Sequence, residues 1–178
     1  MKRIAVIGSP GAGKSTLSRE LSHILDISVI HLDVHYWQPG WTQTPKEIWK
    51  ERHKMLLERE SWIIDGNFGG TLDTRLGAAD TAIFLDFSRF LCTYRVLKRL
   101  AMYRKGERPD MAEGCDERFD WEFMKFVWTF PGKHRPRVLE SLEAHPDITV
   151  YHFKSPGELE TFLQNLRTPT SQLKDERT

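Results

Sequence analysis

The chain has 178 residues, of which 39% are hydrophobic and 29% charged, a composition that supports one domain with its own core and excludes global disorder. A formal net charge of +1 supplies no overall attraction to nucleic acid or anionic membranes, so any anion site must be local. Cys92 and Cys115 lack a C-x-x-C or metal-ligand spacing, and no apolar run approaches a membrane span; a reduced cytoplasmic protein, monomeric or weakly dimeric, is expected.

In chain order, the apolar run at 3–7 predicts a strand and the spacing of Leu17, Leu21, Ile24 and Leu25 predicts a helix over 14–25. A strand at 28–32 follows, then a loop crowded with Tyr36, Trp37, Pro39, Gly40 and Trp41. Thr44, Pro45 and Glu47 form a capping box that starts a helix over 45–59. Strands at 62–64, 81–85 and 148–152 alternate with helices at 90–103, 121–130, 135–144 and 156–166, the last opened by a similar box at Ser155 and Glu158. This alternation predicts a three-layer α/β fold, a five-stranded parallel sheet with helices on both faces. A lid insertion is expected at about 104–120, inside a domain over 1–166, with a flexible tail over 167–178.

Between the first strand and first helix stand Gly8, Ser9, Pro10, Gly11, Ala12, Gly13, Lys14 and Ser15, a complete G-x-x-x-x-G-K-S phosphate loop. Glycines let the backbone turn its N–H groups toward a polyphosphate, and the following helix, with Thr16 in its first turn, adds its positive dipole end. Lys14 supplies charge to the β- and γ-phosphates and Ser15 a hydroxyl for Mg²⁺, so ATP and Mg²⁺ are the expected cofactors.

Ligands of open α/β sheets sit beyond the carboxyl ends of the strands, where Asp33 and Asp65 are expected. Asp65 suits Mg²⁺ held through water, and Asp33 the acceptor hydroxyl, as base or orienting group. His31, Asp33 and His35 would share a face only if the strand ran on past Asp33. The segment 89–108 carries seven basic residues against one acid; Arg95 and Arg99 share a helix face, apart from an apolar stripe of Phe90, Tyr94, Leu97 and Ala101. Guanidinium groups there, with Arg104 and Arg108 on the lid, fit a phosphoryl group in transfer. Trp37 and Trp41 bracket a turn that can hold both rings over an acceptor or pack as core.

The chain resembles the adenylate-kinase-like small-molecule kinases, and more closely the bacterial DNA topology modulation (FlaR-related) proteins. The resemblance rests on the phosphate loop, His31-Leu32-Asp33, Trp37-Gln38-Pro39-Gly40-Trp41, Asp65-Gly66-Asn67-Phe68 and Thr71-Leu72-Asp73-Thr74-Arg75-Leu76. It implies a P-loop NTPase fold, Arg95 near the nucleotide base, Arg99 near the phosphates, and residues 154–156 bordering the base. The adenylate-kinase pattern continues Asp-Gly with Phe-Pro-Arg, whereas here Asn67-Phe68-Gly69-Gly70 follows and the next arginine is Arg75, which is expected to contact the acceptor. The resemblance thus implies an ATP-dependent phosphotransferase acting on a nucleoside, nucleotide or other small molecule other than AMP bound in the usual way. The alternative it carries is a nucleotide-dependent regulator of DNA topology, yet near-neutral charge and no DNA-binding motif give direct DNA binding no support.

Overall fold

The structure, a computed structural model, describes residues 1–103, 110–116 and 118–168. Arg104 and Arg108, with the rest of 104–109, residue 117 and nearly all of the expected tail, lie outside the described residues.

Five parallel strands form one sheet: β1 (Arg3–Gly8), β2 (Val29–His31), β5 (Trp62–Asp65), β6 (Thr81–Leu85) and β7 (Thr149–Phe153), in the order β2-β5-β1-β6-β7. A two-stranded hairpin of β3 (Trp37–Gln38) and β4 (Thr42–Gln43) stands apart from it. β1 is central because both neighbours and both faces cover it, and its residues from Ile4 onward are buried. The chain runs first to one side of β1 and later to the other, so a crevice opens at its carboxyl end.

Side-chain alternation divides the core in two. Ala5, Ile7, Trp62, Ile64, Ala82 and Phe84 face one way; Ile4, Val6, Ile63, Ile83 and Leu85 face the other. On the first face pack α3 (Lys46–Leu57) through Trp49 and Leu56, α4 (Leu72–Ala78) through Leu72 and Leu76, and α7 (Arg135–Glu143) through Val138 and Leu142. The second face is covered by α1 (Lys14–Leu25) through Leu17 and Leu21, α5 (Arg89–Met102) through Cys92 and Val96, and α8 (Pro156–Arg167) through Leu163. Helix α6 (Trp121–Lys133) serves both cores, Val127 entering the second and Phe130 the first.

Several local expectations change. Residues 32–36 form a short helix, α2 (Leu32–Tyr36), so the strand stops at His31 and His31, Asp33 and His35 do not line one strand face. Thr44 does not cap α3; its hydroxyl and N–H both donate to the Tyr36 carbonyl across the hairpin base, and Pro45 takes the cap position. Ser155 does cap α8, accepting from the Glu158 N–H at 3.3 Å, while Glu158 accepts from the Lys154 N–H at 2.8 Å. α6 continues through Pro131, which removes one N–H but leaves the His134 N–H bonded to Phe130 O at 2.9 Å. The apolar stripe of α5 points outward, with Phe90 69% and Tyr94 62% exposed, because the opposite face of that helix packs on the phosphate loop. Among the described residues, no helix is long and apolar enough to cross a membrane.

Candidate active site

The phosphate loop leaves β1 at Gly8 and ends at Gly13, the N-cap of α1, where φ is +100° and no side chain caps the helix. The first helical bond runs from the Leu17 N–H to Gly13 O, so the amides of Lys14, Ser15 and Thr16 precede any intrahelical acceptor. These are the donors a polyphosphate needs, and the uncapped terminus fits one. Gly11 makes the close packing possible: at φ +80°, a Cβ there would lie 2.4 Å from Cys92 O and 2.9 Å from the Val96 side chain. The Lys14 ammonium folds back on the loop, donating to Gly8 O at 3.0 Å and Ser9 O at 3.2 Å. Burial pushes its pKa below the ordinary lysine value, against the opposing pull of Asp65 and Asp33.

Asp65 ends β5 only 4% exposed, and His31, ending the neighbouring strand, meets it with Nδ1 2.8 Å from Oδ2. Burial works against a charged imidazole here, but the hydrogen bond and charge of Asp65 outweigh it and hold the His31 pKa above its ordinary value. Asp65 and the Ser15 hydroxyl both line the same cavity, and their hard oxygen donors fit Mg²⁺, which takes few protein ligands and retains water. Asp33, in α2, lines that cavity as well.

On the other flank, Arg95 Nη1 donates to Ala12 O at 3.0 Å and its guanidinium lies 5.7 Å from the centre of the Phe87 ring. Arg99, one turn on, faces the cavity with it. Arg75 requires a correction. It is 0% exposed, does not line the cavity, and donates from Nη2 to Gly66 O at 3.0 Å, beneath the turn that carries Asp65 and Asn67. Burial lowers its pKa to about 10, and Nε and Nη1 have no partner within the protein. The position of Arg75 one helical turn inside α4 aims it at the core, so it holds the turn rather than an acceptor in this structure.

Trp37 and Trp41 line the cavity with ring centres 5.4 Å apart, edge to face. Their hairpin is tied to residues 110–116: Gly40 N–H donates to Gly114 O at 2.9 Å, Trp41 Nε1 to Asp116 O at 3.1 Å, and Cys115 Sγ to Gln38 O at 3.2 Å. Arg118 lies 5.8 Å from the centre of the Trp41 ring.

One cavity of about 1160 Å³ thus gathers the loop from Pro10 to Thr16 together with Asp33, Asp65, Trp37, Trp41, Arg95 and Arg99. Gly8 and Ser9 sit behind it, reaching Lys14 through their carbonyls. The two cores divide its walls. Phe87, Phe123, Leu159 and Leu163, with Pro156 at the rim, belong to the phosphate-loop side; Phe68, Leu72, Phe126, Phe130 and Val138 belong to the Asp33 side. Sequence reasoning missed Phe126, Phe130 and His134 as site residues, although their spacing of four already marks a single stripe on α6.

This architecture, a five-stranded parallel sheet flanked by helices with a phosphate loop leaving its central strand, matches the fold of P-loop kinases. Shikimate kinase from Acinetobacter baumannii in complex with shikimate superimposes with a TM-score of 0.57 at 14% identity, covering 99% of this chain and 96% of that one. Deoxyadenosine kinase from M. mycoides with products dCMP and a flexible dCDP bound gives 0.51 at 16% identity, over 92% and 95% of the two chains. Shikimate kinase from Bacteroides thetaiotaomicron gives 0.50 at 16%, over 93% and 96%. In sequence, the uncharacterized protein YqaC of Bacillus subtilis (strain 168) is 34% identical over 88 residues, covering 47% of this chain; the match spans about half the length of that relative, 48%. No protein-family model matches the chain.

Proposed function

We propose that this protein is an ATP- and Mg²⁺-dependent phosphotransferase that moves the γ-phosphate to the hydroxyl of a small molecule. The carrying observation is that Lys14, Asp33, Asp65, Arg95 and Arg99 line one cavity with the phosphate loop. Lys14 would leave Gly8 O and Ser9 O for the β- and γ-phosphates, which the amides of the loop and first turn of α1 cradle. Ser15 and, through water, Asp65 would hold Mg²⁺, whose charge offsets that developing on the phosphates. Asp33 would orient the acceptor hydroxyl and take its proton as the oxygen attacks the γ-phosphorus and the bond to the β-phosphate oxygen breaks. Arg99 would neutralise the group in transfer, and Arg95, held over Phe87, would face the base. On this reading Arg104 and Arg108 assist from the lid, and Trp37 and Trp41 contact the acceptor.

A finer kinship, with adenylate-kinase-like enzymes and the topology modulation proteins, rests on the order of the sequence motifs. Cytoplasmic location belongs with it. The test is a screen of nucleosides, nucleotides and small alcohols with ATP and Mg²⁺, wild type against Asp33→Asn. Phosphate transfer that falls at least about a hundredfold in Asp33→Asn at preserved ATP affinity is expected. No transfer to any acceptor, with tight DNA binding at physiological salt, would replace this reading by the DNA-regulator alternative.

A further inference from the structure

We infer that the acceptor is an uncharged alcohol carried on a flat aromatic ring system, a compound of the nucleoside class. The inference rests on the phosphotransferase reading and names the occupant of the Asp33 side of that cavity.

The wall on that side includes aromatic rings from three separate elements: Trp37 and Trp41 on the hairpin, Phe68 after β5, and Phe126 and Phe130 on α6. Each is fixed by a neighbour. Phe68 lies 4.6 Å from Tyr36 and 4.9 Å from Trp49 between ring centres, Phe126 lies 4.5 Å from His134, and Trp37 lies 5.0 Å from Tyr36. Rigid rings on opposing elements favour a planar guest, which gains stacking as well as area, whereas a saturated polyol leaves the faces wet. At about 1160 Å³ the cavity exceeds the roughly 300–1,000 Å³ of a single-ligand site, leaving room for donor and acceptor together.

The polar groups on that wall define the guest further. Asn67 lines the cavity, and its Oδ1 is buried with no hydrogen-bond partner in the protein. A half-buried carboxamide with an unpartnered Oδ1 offers one acceptor beside a donor, the complement of a nucleobase edge. An anionic acceptor lacks a matching host among the described residues. The half-buried cations, Lys14, Arg95 and Arg99, stand with the phosphate loop; Arg118 and Arg137 are exposed, and Arg75 does not reach the wall. Asp33, Asp110 and Asp120 line the same cavity. Burial and the nearby Lys133 lower the His134 pKa, which keeps that ring neutral near pH 7. Among the described residues, no buried cation on that wall would offset the desolvation of a phosphate or carboxylate.

The experiment measures initial rates with ATP and Mg²⁺ on the four ribonucleosides, their 5′-monophosphates, a cyclic hydroxy acid and a sugar alcohol. At least one nucleoside is expected to exceed its monophosphate and both non-aromatic acceptors by about tenfold or more in kcat/KM. Asn67→Leu should reduce that value by about tenfold or more, the loss of one buried hydrogen-bonding edge, while ATP affinity stays within about twofold. In parallel, tryptophan fluorescence follows nucleoside titration of the protein loaded with a non-hydrolysable ATP analogue, and saturable quenching is expected. Transfer to a monophosphate or hydroxy acid but to no nucleoside overturns the inference and leaves the phosphotransferase reading standing. Nucleoside quenching without transfer to any acceptor overturns the phosphotransferase reading, and with it the acceptor role, and leaves the cavity a nucleoside-binding site. Neither quenching nor transfer with nucleosides, or an unaffected Asn67→Leu variant, also overturns the inference.

Discussion

Gly11→Ala tests the packing of α5 onto the phosphate loop. The new methyl group meets Cys92 O at 2.4 Å and Val96 at 2.9 Å, and the residue must also hold φ +80°. The left-handed conformation costs about 1–2 kcal/mol for a residue with a Cβ, and forcing a methyl into a filled space costs about 1–3 kcal/mol more. At roughly 2–4 °C per kcal/mol for a domain of this size, the melting temperature should fall by roughly 4–20 °C. Gly40→Ala is the matched control, since Gly40 has φ +73° but a Cβ there meets nothing within 4 Å. It bears the conformational cost alone, a fall of roughly 2–8 °C. Because relief of the clash moves α5, and with it the Arg95 bond to Ala12 O, Gly11→Ala should also weaken ATP binding while Gly40→Ala should not. Differential scanning calorimetry and ATP titration calorimetry provide both measurements. Equal melting temperatures for the two variants would refute the reasoning, because the difference between them is the clash.

His53 is 1% exposed, and burial, then Arg75, lowers its pKa to about 4 from 6.5. The unfolded chain therefore takes up a proton that the folded one refuses, and stability is lost as pH falls from about 6.5 to about 4, by about 3 kcal/mol. Urea unfolding of His53→Phe across that range should show a shallower acid decline than wild type. His31 has the opposite sign: its raised pKa contributes stability present below about pH 6.5 and lost as pH climbs through the folded value. His31→Gln should therefore cost more stability at pH 5.5 than at pH 8.5. Arg75→Met removes a guanidinium whose burial depresses its pKa by an amount equivalent to about 3 kcal/mol, and loses a charged hydrogen bond to Gly66 O that contributes about 1.5–3 kcal/mol. Unfolding free energy should stay within about 1.5 kcal/mol, yet phosphotransfer should fall at least tenfold because the turn bearing Asp65 and Asn67 loses its clamp.

The sheet was legible in the sequence because its strands are unbroken apolar runs bounded by turn signals, as at Thr81–Leu85, where expected and observed bounds coincide. α1 was equally plain, Lys14–Leu25, from helical spacing after the loop. α4 was not, since Leu-Asp-Thr-Arg-Leu-Gly-Ala is short and contains Gly77, and its register is set by Leu72 and Leu76 meeting the sheet. The α5 stripe misled for a related reason: packing against Gly11 selects the face with Cys92 and Val96, a choice made by a loop eighty residues away. In the site, the strand-end position of Asp65 follows from its apolar run, but its pairing with His31 depends on parallel register, which places His31 beside Asp65. Arg75 shows the limit of spacing arguments, since a motif position does not reveal which way a helix turns its side chains.

α6 sends Phe123 to the phosphate-loop side of the cavity and Phe126, one turn later, to the Asp33 side, with Val127 and Phe130 anchored in opposite cores. One helix thus lines both sides of the same cavity. A ligand that settles against one side of α6 fixes the wall on the other, so on the phosphotransferase reading donor and acceptor should strengthen each other's binding through the helix as well as by contact. The communication would be reciprocal, and it would persist in a variant unable to transfer phosphate.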